Sequence, residues 1–349
     1  MAKQKKQNKL KILVIRNDKL GDFMLAWPAL ALLRKNLPQA HIAVLVPAYT
    51  APLAEVCSYV DEVIIDPKQG GELRSGFALA KLIKPRKFDA VVTLFSRFDT
   101  GLAVWLAGIP LRYAPATKLA QVFYNRKVVQ RRSNSEKPEY EYNNDLMVRF
   151  LADLGVAKLK PAAGPYLAFK PSDVKKLKQK FLKQHKIPAA KKLVFVHAGH
   201  GGSASNLSLG HYGHLIRDLA PANKLHVVLT AGPGEESQAR RLASLLNGSH
   251  SIYHSKDGLL AFAKHLQFAD VFISGSTGPL HVVGAMDVPT AAFYPRRRSS
   301  TALRWQTVNS DKRRLAFMPP PKAEESDMDR IDVAKAAREI SARFLKRKP

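Results

Sequence analysis

At 349 residues the chain is too long for one compact core and long enough for two domains of ordinary size. Its 46% hydrophobic and 24% charged residues suit a soluble globular protein; no apolar run approaches the roughly 18 residues of a membrane span, and Cys57, standing alone, excludes an internal disulfide. Lys and Arg total 56 against 28 acidic residues, a net +28 that points to polyanionic partners, yet the basic residues are spread along the chain without a helix-turn-helix, zinc-finger or RNP-type signature, so nucleic acid is not expected.

The chain opens on Lys3, Lys5, Lys6, Lys9 and Lys11, but the apolar run beside them is too short for a secretory signal and meets Arg16, Asp18 and Lys19 at once. A cytoplasmic location, or one on the cytoplasmic face of a membrane, is therefore expected. Residues 11–16 (KILVIR) read as a buried strand, 17–22 as a polar loop, and 23–36 as an apolar helix ended by Pro38. Strands at 41–47, 62–66 and 89–95 alternate with helices at 51–59 and 76–84. Short connections between near-continuous apolar strands predict a parallel sheet covered on both faces. Residues 131–141 read as an exposed loop, 143–154 as a helix, and the Pro- and Gly-rich stretch 161–171 as an interdomain hinge.

After a charged helix at 171–185 the pattern restarts. Strands at 192–197, 226–231, 250–253, 271–274 and 290–294 alternate with helices at 209–219, 235–246, 259–268 and 279–286, the first N-capped by Ser208. An amphipathic tail at 331–346 follows. The expected architecture is α/β, two Rossmann-like domains at 1–165 and 172–325, with 326–349 as a C-terminal amphipathic helix and basic tail. Ligands of open α/β sheets bind beyond the carboxyl ends of the strands, so tandem sheets are expected to face a central cleft.

Four loops would line it. Gly275-Ser276-Thr277-Gly278-Pro279-Leu280-His281 follows a strand and opens a helix, where unpaired amides and the dipole favour an anion. The alternative is an ordinary capped helix start with a partly buried His281. Gly199-His200-Gly201-Gly202-Ser203 is a second glycine-rich turn, either a phosphate contact or a flexible connection; its spacing is not the dinucleotide fingerprint. In Gly232-Pro233-Gly234-Glu235-Glu236 the glutamates either cap a helix electrostatically or reach a ribose. Asp22, before the first helix, is either an N-cap or a general base for a hydroxyl.

Asn17-Asp18-Lys19-Leu20-Gly21-Asp22, followed by Ala26-Trp27-Pro28-Ala29-Leu30, resembles the opening of glycosyltransferase family 9, which holds the heptosyltransferases of the lipopolysaccharide inner core. Ser274-Gly275-Ser276-Thr277-Gly278-Pro279-Leu280-His281, ending in Tyr294-Pro295, resembles that family's second signature. The resemblance covers most of the chain. It implies a GT-B fold, an acceptor held by the N-terminal domain, a nucleotide sugar held by the C-terminal one, and inverting transfer with no catalytic metal and no cofactor. Asp22 matches the proposed base; Thr277, Gly278 and His281 match donor-diphosphate residues; Glu235 or Glu236 matches a glutamate near the nucleoside. Gly201, Gly202, Ser203 and Ser276 complete the expected donor site.

Three departures stand out. Members using ADP-heptose often have Asp where Ser276 stands. Many carry Lys before Trp-Pro where 205–208 here read SNLS. Arg296, Arg297, Arg298 and Arg304 occupy what is usually a Gly-Pro-rich loop, and are expected either to supply phosphate or acceptor contacts or to form a solvated basic loop. The resemblance favours ADP-heptose as donor and an anionic glycolipid as acceptor, with peripheral contact to the inner membrane through the lysines at the start and Arg343, Lys346, Arg347 and Lys348 at the end. The alternatives are a same-fold enzyme using another nucleotide sugar for outer core or O-antigen, and a non-catalytic polyanion binder.

Overall fold

A computed structural model describes residues 9–117, 119–199 and 205–346. The chain divides into two compact units, one formed by residues up to 132 with 140–163, the other by 133–139 with residues from 164 onward.

The first unit runs β1 (Lys11–Ile15), α1 (Leu20–Met24), α2 (Trp27–Asn36), β2 (His41–Val46), α3 (Ala51–Ala54), β3 (Glu62–Ile65), α4 (Glu72–Ile83), β4 (Ala90–Thr93), α5 (Phe98–Leu106), β5 (Leu111–Pro115), β6 (Arg126–Val128) and α6 (Glu139–Asp153). Its six strands are parallel in the order β3-β2-β1-β4-β5-β6. Strand β1, with β2 on one side and β4 on the other, marks the point where the winding reverses. In such sheets the crevice beyond the carboxyl ends of the two central strands receives ligands. Ile12, Leu13, Val14 and Ile15 are buried, as their continuous apolar run requires of a strand covered on both faces.

Two expectations are corrected here. The helix expected at 23–36 starts earlier, at Leu20, and is broken in two, because Pro28 can donate no hydrogen bond to the Met24 carbonyl and its ring crowds that group. The helix expected at 51–59 is the single turn α3. Helix α5 and the strands β5 and β6 lie in a stretch with no clear alternation. Both strands are short, and charged residues interrupt their apolar character.

The second unit runs α7 (Pro171–Gln184), β7 (Lys192–His197), α8 (Leu209–Asp218), β8 (Leu225–Ala231), α9 (Glu236–Ala243), β9 (His250–His254), α10 (Gly258–Leu266), β10 (Val271–Gly275), α11 (Gly278–Ala285), β11 (Thr290–Phe293), β12 (Arg314–Phe317) and α12 (Val333–Ile340). The order is β12-β11-β10-β7-β8-β9, again parallel, so the reversal falls between β7 and β10. Ser208 caps α8 as expected, accepting from the His211 amide at 3.3 Å. The terminal helix α12 packs into this unit's core through Ala336, Ala337 and Ile340. Arg343, expected as part of the basic tail, is exposed and donates to the backbone carbonyls of Asp311 (2.6 Å) and Lys312 (3.2 Å).

Candidate functional site

In the first unit the chain leaves β1 through Arg16 and Asn17, both buried. Asp22 is the third residue of α1, whose N-cap position is Lys19, so the N-cap alternative for Asp22 does not hold. Its carboxylate, 9% exposed, accepts from the Arg16 guanidinium at 2.5 Å. Arg16 also donates to Asp18 (2.9 Å) and to Asn143 of α6 (3.3 Å), and lies over the Phe95 ring at 5.7 Å. Asn143 in turn donates to the Leu25 carbonyl (3.0 Å), which ties α6 to the break between α1 and α2. A guanidinium this deeply buried needs charged partners to offset its lost hydration, and Asp18 and Asp22 supply them. Arg16 therefore fixes the direction of the Asp22 carboxylate. The sequence signal for it is an Arg directly after the apolar run Ile12–Ile15.

Asn17, beside Arg16, donates to Asp66 at the end of β3 (2.7 Å). Beyond β4, Asp99 holds Arg97 through two contacts (3.1 and 2.7 Å) and accepts from the Thr100 amide at 2.8 Å. Polar groups thus collect at the carboxyl edge of the first sheet, where its topology places a ligand crevice.

In the second unit β10 runs into Gly275 and Ser276, and Thr277 takes the N-cap position of α11 in an extended conformation (φ −115°, ψ 164°). Its hydroxyl does not cap the helix: Oγ1 is buried and has no hydrogen-bond partner. Pro279, lacking an N–H, sits in the first turn, where none is needed. One turn on, His281 is buried with Nδ1 likewise unpartnered, and the Trp305 ring meets its ring edge to face with centroids 6.4 Å apart. Loss of hydration lowers the His281 pKa to about 4, so the ring is neutral at pH 7. Gly275 is obligatory, because a β-carbon there would stand 2.6 Å from Asn206 Oδ1. Asn206 is itself fixed by the Tyr212 hydroxyl (2.6 Å) and by its own donation to the Ala198 carbonyl (2.7 Å).

The two glutamates of the β8–α9 turn part company. Glu235 folds back to accept from the Gly232 amide (2.9 Å) and lies 3.6 Å from His197 Nε2. Its carboxylate fills the space before Gly199, where a β-carbon would be 2.2 Å from the carboxyl carbon. Glu236 faces outward to Arg240 (2.7 Å) and His254 (3.4 Å). Strands β10, β7 and β8 are neighbours, so the Thr277 turn, Gly199 and Glu235 share one edge of the second sheet. Gly201, Gly202 and Ser203 lie outside the described residues.

The four arginines do not act as one group. Arg304 is buried and engaged by Glu139, whose carboxylate is 1% exposed and requires a counter-charge; it also lies over Trp305 at 5.8 Å. Arg304, expected among the phosphate or acceptor contacts, thus has its guanidinium engaged by Glu139. Arg296 donates to the Pro320 carbonyl (3.3 Å) and Arg298 to Asn134 (2.9 Å), while Arg297 is exposed.

The buried histidines set a pH dependence. His281 and His226, both desolvated, have pKa values near 4 in the fold, against about 6.5 in an unfolded chain. Between pH 6.5 and 4 the unfolded state binds more protons, so stability falls as pH is lowered through that window. The melting temperature is expected to drop there, and less steeply in His281→Leu; an equal slope in the variant contradicts the assignment.

Residues 76–328 match the family model of glycosyltransferase family 9 (heptosyltransferase). A Haemophilus influenzae protein, provisionally named a glycosyltransferase, is 46% identical over 334 residues, spanning 95% of this chain and 96% of its own. Lipopolysaccharide heptosyltransferase 2 of Salmonella typhimurium is 24% identical over 300 residues, 82% of each chain. The solved structure of Escherichia coli ADP-heptose lipopolysaccharide heptosyltransferase II aligns with a TM-score of 0.75 at 19% identity, over 96% of this chain and 99% of that one. That likeness identifies the fold as GT-B.

Proposed function

The chain belongs to glycosyltransferase family 9, and on that premise we propose that this glycosyltransferase moves heptose from ADP-heptose to a lipopolysaccharide core acceptor, with inversion and with Asp22 as the base. The observation that carries the reading is the β10–α11 turn. There a buried Thr277 hydroxyl and a buried neutral His281 nitrogen, both unpartnered, stand at a helix start on the carboxyl edge of a parallel sheet. Unpaired polar groups in such a place cost free energy unless a ligand completes them. A diphosphate does so: it accepts from the Thr277 hydroxyl and from amides at the helix start.

Of the two glutamates, Glu235, held by the Gly232 amide, is the one assigned to the ribose hydroxyls of that nucleotide, because Glu236 faces outward to Arg240 and His254. In the reaction the acceptor oxygen bonds to the anomeric carbon from the face opposite the diphosphate, the bond from that carbon to the diphosphate oxygen breaks, and the acceptor proton passes to Asp22. Amides, Thr277 and the exposed Arg297 stabilise the charge on departing ADP, with no metal in the scheme, and this electrostatic contribution is the largest. The acceptor, carrying carboxylates and phosphates, suits the +28 chain. It is reached from the cytoplasmic face of the inner membrane.

Ser276, in place of the aspartate common among users of ADP-heptose, favours a second reading in which the donor is a different nucleotide sugar for outer core or O-antigen. A thermal-shift panel of ADP-heptose, UDP-sugars, GDP-sugars and duplex DNA separates the readings. ADP-heptose is expected to raise the melting temperature and to yield heptosylated acceptor with release of ADP. A shift with a UDP- or GDP-sugar alone moves the assignment to the second reading. A shift with DNA and no nucleotide sugar defeats both.

A further inference from the structure

On one face of the first sheet, α4, α5 and the short turn Leu119–Phe123 form a continuous layer. Two glycines set its closeness: a β-carbon at Gly76 would meet Leu102 and the Asp99 carbonyl of α5 at 3.0 and 3.1 Å, and one at Gly101 would meet Phe123 at 2.8 Å. Phe123 also packs edge-on against Phe98 and lies 6.2 Å from Trp105. The inner side of the layer, through Leu79, Ala80, Ile83, Ala103 and Val104, covers the sheet. The outer side carries Leu73 and Phe77, one helical turn apart on α4, then Trp105, and then Leu119 and Val122. Each is at least 52% exposed.

Five large apolar side chains on one solvent face exceed the scattered exposure usual for a monomer surface and mark an interaction site. Their surroundings specify the partner. Residues 72–132, from the start of α4, contain twelve Lys and Arg (74, 81, 84, 86, 87, 97, 112, 118, 126, 127, 131 and 132) against three acidic residues, Glu72, Asp89 and Asp99. That is four to one, where the whole chain is two to one. Lys81 continues the Leu73–Phe77 stripe by one turn, and the exposed Arg126 and Lys127 lie four and five positions after Val122.

We propose that this layer is a membrane-docking surface: Leu73, Phe77, Trp105, Leu119 and Val122 enter the interfacial region of an anionic phospholipid bilayer while the surrounding Lys and Arg engage its phosphates. A second protein would have to present an acidic rim around an apolar centre, whereas an anionic bilayer offers that combination everywhere. Apolar insertion together with basic contacts, each worth about 1 kcal/mol near an anionic surface, is the arrangement of proteins that lie on membranes rather than cross them. No described helix is long and apolar enough to span one. The surface lies wholly within the first unit and does not depend on which nucleotide sugar the second unit takes.

Trp105 supplies the probe, because it is exposed on the proposed surface, whereas Trp27 is fully buried and Trp305 is half-buried in the second unit. The whole chain is mixed with vesicles of phosphatidylcholine alone or with phosphatidylglycerol, some carrying acyl-chain-brominated lipid. Expected are co-sedimentation with the anionic vesicles, quenching of Trp105 by the brominated lipid, and no quenching in Trp105→Phe, which still sediments. Phe77→Ser, exposed in the fold, is expected to keep its melting temperature and to partition about tenfold less, from the lost burial of one large apolar side chain. Sedimentation without quenching, equal binding to uncharged vesicles, or a concentration-dependent dimer that Phe77→Ser dissociates would each overturn the proposal. Because no donor or acceptor is present, failure here leaves the transferase reading untouched.

Discussion

Asp22→Asn is expected to lower the turnover of sugar transfer by about 10²- to 10⁴-fold, the range lost when a positioned general base is removed. The substitution preserves shape, and the Asn oxygen can still accept from Arg16, which keeps Asp18 as its second carboxylate partner. What disappears is the capacity to take a proton. The contact with the Arg16 guanidinium at 2.5 Å fixes the direction in which the carboxylate faces, and so where it receives the proton in this reading. Donor affinity is expected to stay within a factor of about two, since the proposed donor groups all belong to the second unit. Turnover and donor Kd measured on the same preparation check this. Unchanged turnover removes Asp22 from the chemistry, and a parallel loss of donor binding makes its role structural.

Thr277→Val is expected to weaken ADP-heptose binding by about 10- to 100-fold, because a hydrogen bond to a charged group contributes about 1.5–3 kcal/mol. Valine is nearly isosteric, so the backbone at the N-cap should not move. A merely structural role gives the opposite sign on stability. The Thr277 hydroxyl is buried and unpartnered, and replacing it by a methyl relieves that defect. The melting temperature of the free protein is therefore expected to hold or rise while affinity for the donor falls. Calorimetric titration with ADP-heptose, alongside thermal denaturation, checks both halves. Intact affinity would show that the hydroxyl faces no ligand.

The legible parts of this molecule are those where one physical demand dominates a stretch of sequence. Strands β1, β2, β7, β8 and β10 are covered on both faces, so almost every residue is apolar and the run is easily seen. Ser208 before α8 and Pro279 after Thr277 are local signals that depend on no distant contact. The unseen strands, β5, β6 and β12, are short and carry charged residues at partly exposed positions. Helix α5 is buried through most of its length, which removes the amphipathic period that would have announced it.

At the candidate site, residue types were readable but partnerships were not. Asp22 and the Thr277–His281 turn drew notice through their motifs, whereas Arg16, which orients Asp22, became significant only through Asn143, 127 positions away. Glu235 and Glu236 are adjacent and chemically identical; the Gly232 amide and the empty side of Gly199 separate them. Arg304 stood beside three other arginines in sequence, yet the buried Glu139 claims it. Each of these depends on long-range packing that no local pattern encodes.

A crystal structure of the chain soaked with ADP tests the donor site most directly. The expected result is a diphosphate within hydrogen-bonding distance of the Thr277 hydroxyl and the first amides of α11, with the ribose turned toward Glu235. A diphosphate bound elsewhere, leaving Thr277 and His281 as unpartnered as they are in the free chain, would contradict it.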